Sequence, residues 1–128
     1  MLKLILVAAF GALGSVLRYL VAGWGQRLAG GDFPAGTLAV NLLGCLGIGL
    51  AGAYFSGAGL VHEDYRIAIV VGLLGGFTTF SSFAWESFRL ARGGNDVMAL
   101  GNVLASNALG IACVWLAFRL GVRLFGPG

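Results

Sequence analysis

The sequence predicts an all-α membrane protein of four transmembrane helices, the third of them broken at mid-membrane. Charge-free runs extend from Leu4 to Leu17, Pro34 to Val61, Ile67 to Trp85 and Val97 to Phe118, and a bilayer crossing needs about 20 predominantly apolar residues. Only 10% of the chain is charged, against roughly 25% in soluble domains, which leaves no material for a soluble head. The third run contains Gly75-Gly76-Phe77-Thr78-Thr79-Phe80-Ser81-Ser82-Phe83. There, paired glycines lower helical propensity and clustered hydroxyls compete for backbone hydrogen bonds. The expected organisation is one four-span domain over residues 1–128.

Composition also narrows the function. The net charge of +3 comes from eight scattered Lys and Arg residues, with no basic cluster or aromatic platform, so nucleic acid is not an expected partner. His62 is the single histidine and has no second ligand or nucleophile beside it in sequence. With five scattered acids, no nucleophile–base pair, carboxylate pair or metal set can be assembled, and no catalytic residues are expected. Cys45 and Cys113 both fall inside spans, where small apolar packing is favoured over a disulfide or a metal site.

The first span is expected from Lys3 to Leu28. Its start resembles a signal peptide, but the run continues without a small-x-small cleavage site and polar exit, and it is read as a span. Gly11 and Ser15 are spaced to let another helix approach closely. Arg18 lies about 20 Å along the helix from Lys3. It either snorkels to an interface shared with Tyr19, Trp24 and Arg27, or forms the positive wall of an aqueous vestibule that attracts anions.

Gly30-Gly31-Asp32-Phe33-Pro34 reads as a turn, with proline suited to a first helical turn. In the second span, to about Phe55, the four-residue spacing of Thr37, Asn41, Cys45, Gly49 and Ala53 puts them on one face. Asn41 is either interhelical glue or a pore-lining donor whose NH₂ can meet an anion while its oxygen is held by a neighbour. The segment Ser56 to Tyr65 is the longest loop, and Glu63 and Asp64 suit the helix start that follows.

In the third span Gly72 and Gly76 form a small-xxx-small pair. Backbone left unpaired in hydrocarbon costs several kcal/mol per group and is tolerated only where it is buried in protein or lines a wet path, so a break here points to an ion or substrate site. A resumed half-helix aims its positive end, hydroxyls and free N–H groups inward, and freed carbonyls can bind a cation. Phe80 and Phe83 could simply pack in lipid or core; alternating with hydroxyls, their positive ring edges could also face an anion. Glu86 could pair with Arg89 at the interface or carry protons.

Gly93-Gly94-Asn95-Asp96 ends this helix and caps the next. In the fourth span, Val97 to about Phe118, Asn102, Ser106 and Gly110 form a stripe that should face protein, because lipid would leave it unsatisfied. Arg119, Arg123 and the Pro127 tail follow. Four crossings place Lys3, Arg66, Arg119 and Arg123 on one side and Arg27, Arg89 and Arg92 on the other. That near balance gives almost no positive-inside bias. The expected assembly is an antiparallel, dual-topology homodimer inserted in both orientations. A two-fold axis in the membrane plane would then bring duplicate carbonyl sets to one monovalent cation.

Three motifs make the chain familiar: Gly11-x-x-Gly14-x-x-x-Arg18-Tyr19, Gly36-Thr37-Leu38-x-Val40-Asn41, and Gly72-x-x-Gly75-Gly76-Phe77-Thr78-Thr79-Phe80-Ser81-Ser82-Phe83-x-x-Glu86. With the length and four-span layout, they resemble the bacterial fluoride channel family, the CrcB or Fluc type, over nearly the whole chain. The resemblance implies a dual-topology dimer in the bacterial plasma membrane, with two antiparallel pores conducting fluoride passively and selectively over chloride. It implies a structural, untransported sodium ion on backbone carbonyls of Gly75 and Thr78. It places the fluoride pore at Asn41, Phe80, Ser81, Ser82, Phe83 and Ser106. Asn102 departs from the tyrosine often found at its position. Physiologically, hydrogen fluoride enters cells neutral, ionises and is trapped until a channel lets the anion leave.

The residues themselves agree with this chemistry. Fluoride is small and strongly hydrated, so a selective path needs successive donors that replace water without a full charge gripping the ion. Asn41, Ser82 and Ser106 can supply them. The alternative is a small dual-topology, proton-coupled multidrug exporter with Glu86 as its carboxylate; such exchange wants an acid near mid-membrane, whereas Glu86 sits close to Arg89 at a helix end. A third possibility is a packing subunit of a larger complex.

Overall fold

The computed structural model describes residues 1–57 and 61–126; the middle of the Ser56–Tyr65 loop and the Pro127 tail lie outside the described residues. The elements are α1 (Leu2–Ala29), α2 (Ala35–Gly57), α3 (Glu63–Ile67), a π-helical segment (Ala68–Leu74), α4 (Gly75–Phe77), α5 (Phe80–Arg92) and α6 (Asp96–Phe125). Four stretches are long and apolar enough to cross a membrane: Leu2–Ala29, Ala35–Gly57, Glu63–Arg92 and Asp96–Phe125. The chain is therefore an all-helical, multi-pass membrane protein. The last span reaches Phe125 rather than the expected Phe118; at 30 residues it is about 45 Å long, which carries Asp96 and Arg123 beyond a hydrocarbon layer of about 30 Å.

The turns follow from local chemistry. Gly30 and Gly31 take φ of 65° and 70°, a left-handed conformation that a Cβ disfavours. Gln26 then pins the turn: its Nε2 donates to the carbonyls of Gly31 (3.1 Å) and Phe33 (3.0 Å), and its Oε1 accepts the Gly36 N–H (3.2 Å). One side chain thus satisfies an amide that α2 would otherwise leave open at its start. At the other end, His62 Nδ1 accepts the Asp64 N–H and caps α3.

Small residues set the packing, as expected where lipid offers no hydrophobic drive between helices. α2 lies along α6, α1 along the π-helical segment, α4 and α2, and α5 against α6. A Cβ on Gly76 would stand 2.6 Å from the Gly11 carbonyl oxygen, and one on Gly72 would stand 2.9 Å from that of Val7. The Gly72–Gly76 pair is thus the surface on which α1 rests. On α1 the contact falls to Gly11 and Gly14 rather than to Gly11 and Ser15, because Gly14 faces the backbone of Leu73 and Phe77. The buried apolar side chains are mostly small: Val40, Ala53, Ala68, Ala99 and Ala117, joined by Phe83 and Leu90.

The two ends of the bundle match the alternation of four crossings. Lys3 Nζ lies 3.5 Å from Glu63 Oε1, and Gly57 adjoins the Gly126 carbonyl. At the opposite end, the α1–α2 turn and Asn95 of the α5–α6 turn border one cavity.

Candidate functional site

Helical backbone persists through Gly75 and Gly76, the residues whose propensity argued against it, and gives way just beyond. Thr78 (φ −86°, ψ 161°) and Thr79 (φ −151°, ψ 112°) are extended, and α5 begins at Phe80. Several of the backbone groups freed by this change find new partners. The Thr78 N–H and Oγ1 both donate to the Leu74 carbonyl at 3.0 Å. The Thr79 N–H donates to Asn41 Oδ1 at 2.8 Å, and Asn41 Nδ2 returns a bond to the Thr79 carbonyl at 3.0 Å. The amide therefore pairs with Thr79 much as a neighbouring strand would. Thr79 is the N-cap of α5, its Oγ1 accepting the Ser82 N–H at 3.2 Å. The same hydroxyl donates to Ser82 Oγ at 3.0 Å and lies 3.4 Å from Ser81 Oγ.

In a continuous helix the N–H of residue i reaches the carbonyl of residue i−4. The Thr79 and Ser82 amides would then serve Gly75 and Thr78, but both are taken by side chains. The Gly75 and Thr78 carbonyls are left without their helical partners, and hard oxygens of this kind suit a small cation. Among the described residues no group of three or more His, Cys, Asp and Glu could hold a metal ion.

Two cavities meet at Thr79. One, of about 360 Å³, is bordered by Asn41, Gly75, Thr78, Thr79 and Phe80. The other, of about 340 Å³, is bordered by Ser15, Arg18, Thr37, Thr79 and Ser82. Arg18 thus stands in the wall of the cavity that Ser82 lines. The Phe80 and Phe83 rings lie 5.4 Å apart at 55°, but Phe83 is 8% exposed and Phe80 is 77% exposed.

Ser106 joins neither cavity and belongs to a polar chain behind Phe83. Its hydroxyl is 3.5 Å from Asn102 Oδ1; Asn102 Nδ2 donates to Ser87 Oγ at 2.9 Å; and Ser87 donates to the Phe83 carbonyl at 2.8 Å. Asn102, 2% exposed, faces protein as its stripe requires.

Glu86 is hydrogen-bonded to a residue other than Arg89. Its Oε1 accepts the Thr37 hydroxyl at 2.7 Å, and its Oε2 is buried without a partner. Glu86, Thr37, Gln26, Asp32, Arg89 and Asn95 border a third cavity, of about 480 Å³. Thr79, Ser87 and Gln26 are the residues that sequence reasoning did not single out for the site. For Thr79 a signal existed: a hydroxyl three residues ahead of another, at the head of a resumed helix, is an N-cap pattern.

The model of the family described as CrcB-like protein, Camphor Resistance (CrcB), matches residues 5–118. The chain belongs to this family. The CrcB-like match takes in the Thr78–Thr79 stretch and every residue bordering the three cavities. A protein of Geobacter metallireducens named "Fluoride-specific ion channel FluC" is 46% identical over 91% of this chain and 94% of its own length. Proteins of the same name from Solibacter usitatus and Agrobacterium fabrum are 43% and 44% identical, over 95% and 98% of this chain and the whole of their own length. These relatives are named as ion channels and not as enzymes.

Proposed function

We propose that the chain is a fluoride-selective channel of the bacterial plasma membrane, through which fluoride leaves the cytoplasm passively down its electrochemical gradient. The observation that carries this reading is the pair of extended residues Thr78 and Thr79, midway along the Glu63–Arg92 span. Such an opening at membrane depth is costly unless it serves a path or a ligand, and this one is surrounded by neutral donors. Ser81, Ser82, Thr79 and Asn41 lie within two hydrogen bonds of each other. Hydroxyl and amide donors can replace water around fluoride one after another while adding no full charge that would trap it. Arg18, in the wall of the Ser82 cavity, raises the local anion concentration before the neutral stretch begins. The Phe80 and Phe83 ring edges then face the ion without binding it strongly.

The working unit in this reading is an antiparallel homodimer. A single chain leaves Phe80 largely exposed, and Asn41, Thr78 and Phe80 border a cavity at its surface. The near-equal distribution of Lys and Arg between the two sides favours both insertions. The Gly75 and Thr78 carbonyls of the two copies are the residues that would hold a structural sodium ion. When bound, that ion supplies a fixed positive charge tying the copies together. Ser106 contributes through Asn102, Ser87 and the Phe83 carbonyl, placing the ring rather than meeting the ion directly.

The test is flux from the purified protein in liposomes loaded with fluoride. Electrogenic efflux that starts on addition of a potassium ionophore, needs no proton gradient and leaves chloride behind is expected. Proton-coupled drug uptake in place of fluoride flux, or equal passage of chloride, would overturn the proposal.

A further inference from the structure

Where the third span opens, two side chains intercept two backbone amides. Asn41 Oδ1 takes the Thr79 N–H at 2.8 Å, and Thr79 Oγ1 takes the Ser82 N–H at 3.2 Å. Each interception frees one carbonyl, of Gly75 and Thr78 respectively. The neighbouring Leu74 carbonyl shows the contrast, since it accepts both the N–H and the hydroxyl of Thr78, filling its two lone pairs. Thr78 Oγ1 gives its proton to Leu74, and its methyl sits against Gly44. The two carbonyls released by these interceptions are main-chain oxygens of the extended stretch and the turn before it. Asn41, Gly75 and Thr78 border the same cavity.

We infer that Asn41 and the Thr79 hydroxyl are positioning residues for a monovalent-cation site made of the Gly75 and Thr78 carbonyls. The inference rests on the proposed reading of those carbonyls as a sodium site. It gives Asn41 a task separate from lining an anion path: both of its polar ends lock onto the Thr79 backbone, and one N–H remains for anything else. Without Asn41 Oδ1, the Thr79 N–H is released to the Gly75 carbonyl, the acceptor that an uninterrupted helix would give it. The cation loses a ligand from each copy. The Thr79 hydroxyl acts in the same way on the Thr78 carbonyl through Ser82.

The experiment measures sodium by atomic emission in the purified protein after exchange into N-methyl-D-glucamine buffer, with fluoride flux measured on the same preparations. Wild-type protein is expected to retain about one sodium per pair of chains, as a site on a two-fold axis requires. Asn41→Leu, branched at the same carbon but without polar atoms, is expected to fall to the buffer background. Asn41→Asp keeps an acceptor for the Thr79 N–H and so retains sodium, while its charge on the anion path suppresses fluoride flux. At Thr79, Val is expected to lose the ion and Ser to keep it; this pair decides if Asn41→Leu does not yield a folded dimer. Sodium retained at wild-type stoichiometry in Asn41→Leu, or in Thr79→Val, overturns the inference while leaving the cation site standing. Wild-type protein free of sodium overturns both the inference and the cation site, and the fluoride flux of the same preparation then tests the channel independently of them.

Discussion

Adding one methyl group at Gly76 tests whether the α1 crossing holds the open stretch in place. An alanine Cβ there would lie 2.6 Å from the Gly11 carbonyl oxygen and 3.2 Å from the Gly11 Cα, all backbone atoms, whereas ordinary contact begins near 3.4 Å. No flexible side chain can give way, so α1 and α4 must separate by most of an ångström. Overpacking of this kind costs about 1–3 kcal/mol, and the gain of alanine over glycine in a helix recovers at most about 1 kcal/mol. Because the contact is with main chain, the upper part of the range applies, and the net loss is about 2 kcal/mol. Gly101→Ala is the matched control: nothing lies within 4 Å of its added Cβ inside α6, so the propensity gain of up to about 1 kcal/mol is expected without opposition. Reversible unfolding by SDS titration in mixed micelles reads both variants, and fluoride flux reads the displacement of Thr78 and Thr79 that follows α4. A Gly76→Ala protein as stable as wild type would refute the argument that backbone approach at this crossing is what fixes the site.

Phe80→Ile and Phe83→Ile should each suppress fluoride flux in liposomes. Only Phe83→Ile should also lower the stability of the isolated chain measurably, by about 1 kcal/mol, because Phe83 is buried and Phe80 is not. Thr37→Val removes the hydrogen bond to Glu86 Oε1 and should cost about 1 kcal/mol, the net worth of a part-buried bond; Glu86→Leu in the same background should recover most of it, as a double-mutant cycle will measure. Asn102→Leu should cost about 1 kcal/mol or less by SDS titration, the usual range for interhelical bonds in membranes. Its fluoride flux should change more than its stability, because Ser87 keeps its bond to the Phe83 carbonyl but loses the anchor on α6.

Much of this architecture is readable from local pattern. Four apolar runs become four helices because hydrocarbon forces every backbone group to find a partner within its own segment. The Gly72–Gly76 spacing announces the face on which α1 rests. Where expectation and structure differ, a distant partner decides. Glycine propensity and clustered hydroxyls mark the whole of Gly75–Phe83 as weak; within it Gly75 and Gly76 stay helical and the extended pair is Thr78-Thr79. The reason is Asn41, 38 positions away in sequence, together with a cap supplied by Thr79 itself. Glu86 shows the same effect: Arg89 is its neighbour along the helix, but Thr37, 49 positions away, makes the bond. Gln26 reads in sequence as an ordinary polar residue near a helix end, and nothing local reveals that it holds three groups of the following turn. Arg18 is ambiguous in the sequence because its height along α1 says nothing of what α5 places opposite.

Thr79 forms part of the wall of two chambers at once. A partition shared in this way cannot be altered for one room alone: a bulkier side chain narrows both, and a smaller one throws them together into a single wet column. In the proposed channel a continuous water column at this point would carry protons as well as the anion, so the Thr79 partition would keep the ion path from becoming a proton leak.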